Sequence, residues 1–228
     1  MRQFASLTFA ALTSAALTFA APILAALTFA APALAEGEPA GEFDYYVLSL
    51  SWSPTWCALE GDARAAPECD GTRDLGWVLH GLWPQFEAGW PSWCRTAARD
   101  PSRAETAAMA DISGSAGLAW YQWKKHGRCS GLAPEDYFAA ARAAYDAVNR
   151  PELFRNMREA YRLPAAVVEE AFLEANPGWQ AGMLTITCRE GRIQEARLCL
   201  TRDLEPRACA ADVARDCALD DALMAPVR

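Results

Sequence analysis

Eight cysteines (Cys57, Cys69, Cys94, Cys129, Cys188, Cys199, Cys209 and Cys217) restrict this chain more than any other feature. Their number is even, and all of them follow a long apolar leader, so the expectation is a set of disulfides formed in an oxidising compartment. Eight cysteines allow 105 pairings, and spacing alone does not choose among them. Zinc is the rival reading of such a set. No Cys-x-x-Cys occurs, and neither histidine stands at metal-ligand spacing from a cysteine. The residues suggest no metal and no other cofactor.

The leader reads as a secretory signal peptide over residues 1–35. Arg2 is its one charged residue, and it ends in the small-x-small pattern Ala33, Leu34, Ala35. LTFAA recurs from Leu7, Leu17 and Leu27, which resembles tandem duplication of an apolar core. A membrane anchor is the alternative, because about 20 apolar residues suffice to span a bilayer. Pro22 and Pro32 interrupt the run and speak against it. Residues 36–228 contain no linker or low-complexity tract and read as one domain. The expected location is periplasmic or secreted, with no membrane attachment, and the expected state is a monomer.

The net charge is −8. That excludes a protein that holds nucleic acid through a broad basic surface, but leaves room for a polyanion bound at a local site. Against this background the chain's two lysines, Lys124 and Lys125, stand directly before His126, one of only two histidines. The other is His80.

FDYYVLSLSWSP, Phe43–Pro54, predicts a buried strand, and Gly76–His80 a second strand with His80 at its end. The stretch 57–74 lacks periodicity and reads as a loop. Ser102 and Glu105 form a capping-box pattern for a short helix. Helices are predicted over Leu118–His126, closed by Gly127, over Ala133–Asn149 with Pro134 near its start, and after Pro164. Met183–Cys188 and Arg192–Leu200 flank a hairpin turn. Without regular βαβ alternation, the fold class is α+β: an antiparallel sheet with flanking helices, disulfide-bonded.

On a helix Gln122, Lys125 and His126 fall at i, i+3 and i+4, on one face that fits a single phosphate. Such a face, together with a second histidine, suits transesterification of RNA. One imidazole takes the 2′-hydroxyl proton, the other protonates the leaving 5′-oxygen, and a cation stabilises the charge on phosphorus.

HGLWP from His80 and WKKHGRC from Trp123 to Cys129 resemble the two active-site segments of the ribonuclease T2 family, secreted endoribonucleases of low base specificity. FDYYVLSLSWSP and Cys57 resemble the family's first strand. The resemblance implies His126 as general base, His80 as general acid and Lys125 as stabiliser of the phosphorane-like state. It also implies Trp83 in the site where a base of single-stranded RNA stacks, with Trp90 and Trp93 as weaker candidates. The expected pairing is Cys57–Cys69, Cys94–Cys129, Cys188–Cys217 and Cys199–Cys209, of which Cys94–Cys129 follows from the resemblance.

Three departures stand out. Where the family commonly has His and Glu before the tryptophan, this chain has Tyr121 and Gln122, and Gln85 follows HGLWP where an acid is common. Gln122 retains N–H donors for a phosphate oxygen and keeps a place among the catalytic candidates. The enzyme reading competes with a catalytically weak RNA-binding protein of the same fold, and with a disulfide-rich structural domain in which the motifs only pack.

Overall fold

The computed structural model describes residues 37–228; the segment read as a signal peptide lies outside the described residues. In chain order the strands are β1 (Tyr45–Trp52), β2 (Trp77–Gln85), β3 (Tyr161–Leu163), β4 (Leu184–Arg189), β5 (Arg192–Leu200) and β6 (Ala222–Met224). The helices are α1 (Ser53–Trp56), α2 (Arg103–Ala107), α3 (Ala110–Ser113), α4 (Ala116–Lys125), α5 (Pro134–Ala147), α6 (Glu152–Arg155) and α7 (Ala165–Ala175). The fold is α+β. One sheet runs in the order β2-β1-β5-β6-β3, with β4 also on β5.

β1 is apolar almost throughout because both of its faces are covered. Tyr46, Leu48, Leu50 and Trp52 enter the main core with Trp123, Tyr137 and Phe138 of the helices, while Tyr45 and Val47 pack with Cys199, Ala210 and Val213 on the opposite side. β2 is an edge strand, which tolerates Pro84. The β4–β5 turn has Glu190 and Gly191 at φ 51° and 72°, the positive angles that a tight two-residue hairpin demands.

The sheet is antiparallel except at one place. β6 pairs with β5 in parallel through Arg192 and Leu223 alone, so the sheet is mixed. The long excursion between Leu200 and Ala222 lets the chain re-enter in either direction, and β3 and β6 are too short for periodicity to announce them. The stretch 57–74, expected as a loop, is wound instead. α1 continues into a π-turn over Cys57–Gly61 and 3₁₀ turns over Asp62–Arg64 and Pro67–Cys69. Here the Cys57–Cys69 bridge pulls the chain back on itself, and a Cβ on Gly61 would lie 2.3 Å from Cys69 Sγ.

The other bridges join Cys94 to Cys129, Cys188 to Cys217 and Cys199 to Cys209. Among the described residues, Cys57, Asp62 and Cys69 form the one cluster with metal-ligand proximity, and its two sulfurs are bonded to each other. No helix among them is long and apolar enough to cross a membrane.

Candidate active site

β2 does not stop at His80. It continues through Gly81, Leu82, Trp83 and Pro84 to Gln85, correcting the expectation that the histidine ends its strand. The ladder with β1 shifts between Ser49 and Leu50, which pair with Gly81 and Leu79, so His80 is the extra residue of a β-bulge. Strict alternation would put residues 80 and 83 on opposite faces. The bulge brings both to the same face, and they are the two half-open positions of a strand otherwise buried. Their rings lie edge to face at 5.1 Å. Gly81 is required there, because a Cβ would sit 2.4 Å from Trp83 Nε1 and 2.5 Å from Gln122 Oε1.

The second segment arrives on α4. Ser115 caps its start by accepting the Leu118 N–H, and Trp123 anchors its inner face in the core. His126 breaks from helical geometry at φ −122° while its N–H still donates to the Gln122 carbonyl at 2.9 Å. A 3₁₀ turn follows over Gly127–Ser130, holding Cys129 against Cys94, and the Trp93 N–H donates to the Lys125 carbonyl at 2.8 Å. Gly127 rests on the Tyr137 ring, whose hydroxyl donates to the Leu82 carbonyl at 3.0 Å. These ties fix the end of α4 against β2.

The two segments meet in a cavity of about 340 Å³ lined by His80, Trp83, Gln122, Lys125 and His126, together with Gln85, Trp90, Glu195, Arg197 and Asp212. The His126 ring lies 5.3 Å from the Trp83 ring, so one indole stands beside both histidines. Trp83 Nε1–H donates to Gln122 Oε1 at 2.7 Å, which leaves the amide N–H groups of Gln122 free of that bond. A larger hollow of about 600 Å³, lined by Arg73, Asp74, Arg150 and Arg155, contains neither histidine.

The histidines have opposite environments. Burial pushes the His126 imidazole down to about 3, with the charges of Lys125 and His80 adding to the effect. Its Nδ1 is buried without a hydrogen-bond partner among the described residues, so no acceptor there compensates a positive ring. His80 instead donates Nδ1–H to Glu195 Oε1 at 2.5 Å. Burial acts to raise the Glu195 carboxyl, but the hydrogen bond and charge of His80 and the charge of Arg197 outweigh it and hold it at about 2.

The two lysines also part company. Lys124 is paired with Asp100 at 3.0 Å and lies by the Trp120 ring, away from the cavity. Lys125 lines the cavity, 6.0 Å from the Tyr121 ring centroid. Trp90 is 57% exposed at the cavity, whereas Trp93 packs against Tyr121 and does not line it.

Glu195 and Arg197 are absent from the sequence reading. Their signal is weak but present: in β5, Ile193, Ala196 and Leu198 go to the core, and a charged pair at i and i+2 occupies the opposite face. With that face also covered, the pair calls for a charged or hydrogen-bonding partner.

The ribonuclease T2 family profile matches residues 43–209, and the chain belongs to that family. Among curated proteins, it is 46% identical over 107 residues to a ribonuclease of Aeromonas hydrophila, covering 47% of this chain and 46% of that protein. It is 30% identical over 138 residues to ribonuclease I of Escherichia coli, covering 43% of this chain and 51% of that protein. The chain thus spans about half the length of the curated relatives it matches. The same fold occurs in trichomaglin, described as an S-like ribonuclease, with TM-score 0.59, 20% identity, and coverage of 81% of this chain and 97% of that one. It occurs also in RNase NT, solved with 5′-AMP, with TM-score 0.56, 20% identity, and coverage of 79% and 97%.

Proposed function

We propose that this chain is an endoribonuclease that cleaves single-stranded RNA by transesterification through a 2′,3′-cyclic phosphate. The observation that carries this reading is the pair of histidines beside one indole, one kept neutral by burial and the other bonded to an ionised glutamate. His126 takes the proton of the 2′-hydroxyl as O2′ bonds to phosphorus. His80 gives its Nε2 proton to the departing 5′-oxygen as the P–O5′ bond breaks. Lys125 and the amide N–H groups of Gln122 stabilise the charge on the non-bridging oxygens. Trp83 and Trp90 offer aromatic faces to a base. In the second step the roles reverse: His80 activates water, and the cyclic ester opens to a 3′-phosphate.

Family membership supports the reaction class, and the four disulfides fit an oxidising location, periplasmic or secreted. Removal of residues 1–35 on export and a monomeric single domain over 36–228 belong to the same proposal, checked by N-terminal sequencing and sedimentation. The competing reading, a catalytically weak RNA-binding protein, is favoured by the amide at Gln122 in place of an acid. Incubating the purified protein with single-stranded RNA in EDTA and identifying the new ends separates the two. Cyclic phosphates followed by 3′-phosphates are expected. Retention of RNA without new ends would sink the enzyme reading.

A further inference from the structure

β1 lies between β2 and β5, so a side chain of β5 reaches one of β2 only by crossing β1, a span of two strand spacings or roughly 10 Å. Glu195 and Arg197 sit opposite Ser51 and Ser49 of β1. These small residues leave the path open, and Glu195 crosses it to reach His80. The glutamate is 2% exposed, and its second oxygen accepts from Arg197 Nε and Nη2 at 2.9 and 2.7 Å. Both carboxylate oxygens are therefore held. Arg197 in turn lies 5.5 Å over the Trp83 ring. A charge kept this deep is costly, and an apolar residue would pack the strand with less penalty. A role toward the site accounts for it better than one in the core.

We propose that Glu195 is the positioning residue of the general acid: it binds the Nδ1–H of His80, turns Nε2 to the cavity, and balances the ring's charge before proton transfer. The proposal rests on the reading of His80 as the acid. When the P–O5′ bond breaks, its electron pair stays on O5′ and takes the Nε2 proton. Nδ1–H remains on the ring, bonded to Glu195, which is not itself protonated.

The test compares two substrates of one cleavage reaction. A dinucleoside phosphate has a poor leaving group that needs the proton, whereas a nucleoside 3′-(p-nitrophenyl phosphate) has a leaving group that departs without it. For Glu195→Gln, kcat on the dinucleoside phosphate should fall by about 10- to 100-fold, part of the contribution of a general acid, with KM nearly unchanged. On the aryl ester kcat should change little. An equal loss on both substrates would mean that Glu195 is only a structural ion-pair member.

His80→Ala is measured beside it. If that variant loses both activities equally, the acid assignment itself fails; if it shows the leaving-group dependence and Glu195→Gln does not, only the glutamate's role fails. Should Glu195→Gln not fold, ¹⁵N NMR of the unaltered protein still decides, since it has only two histidines to assign. The neutral His80 ring should carry its proton on Nδ1, and a proton found on Nε2 overturns the proposal.

Discussion

Gln122 shows how much one side chain's neighbours settle. Its amide is buried, and its oxygen is held by the Trp83 indole, so it is part of the cavity wall rather than a solvated helix residue. Gln122→Glu keeps an acceptor for that indole but sets a negative charge near His126, favouring the protonated ring and raising it from about 3. The acidic limb of the kcat/KM profile should move upward; an unmoved limb would mean that residue 122 does not sense the base. Gln122→Ala should lower the plateau by removing the proposed phosphate donor and freeing Trp83. His80→Ala and His126→Ala should each cost about 10²- to 10⁴-fold on a dinucleoside phosphate, the range for loss of a general acid or base. Either variant that keeps a tenth of the activity while folded removes its histidine from the mechanism.

Among the elements, the bulged β2 does most to build the site. Its extra residue converts the spacing 80 to 83, which a regular strand would split between two faces, into two neighbours facing one cavity. Gly81→Ala tests this directly, because its methyl group would enter the contact between Trp83 and Gln122. Activity should fall by at least about tenfold, since a misplacement near 1 Å costs up to about 10²-fold. The melting temperature should fall less than it does for a core truncation. Full activity in this variant would show that the Trp83–Gln122 bond is dispensable. The break of α4 at His126 is the matching device on the other segment, where the helix ends at Lys125 and His126 takes φ −122°.

For the molecule as a whole, acid should weaken the fold, and the sign follows from His126. Its ring titrates near 3 when folded and near 6.5 when unfolded. Between those values the unfolded chain binds a proton that the folded chain refuses, so this contribution falls as pH falls, by up to about 1.4 kcal/mol per unit. Glu195, held at about 2 when folded, has the same sign at lower pH. Glu68, raised by burial, has the opposite one. Urea unfolding between pH 4 and 7 should show the decline, and His126→Leu should flatten it; an unchanged slope would refute the assignment. Opening Cys94–Cys129, whose ends are 35 positions apart, should cost roughly 4 kcal/mol by chain entropy. It should also loosen the end of α4, lowering kcat in the double Cys→Ala variant before the fold is lost.

Local order was readable wherever the pattern is short-range. The apolar run of β1, the Ser102–Glu105 capping box, Pro134 at the head of α5 and the positive-φ turn before β5 each depend on neighbours within a few residues. The two motif histidines were readable for the same reason, since each sits in a compact, unusual stretch. What only the tertiary structure decided involves partners far apart in the chain. Glu195 meets His80 across 115 positions, Trp83 meets Gln122 across 39, and Lys124 is drawn off by Asp100 across 24. A bulge of one residue leaves no periodicity to read, and whether a histidine is neutral depends on burial that the surrounding elements impose together. The residue types suggested the chemistry proposed for the site, whereas the crossing of β1 by Glu195 and the enclosure of His126 set which ring is neutral and which is bonded to a carboxylate.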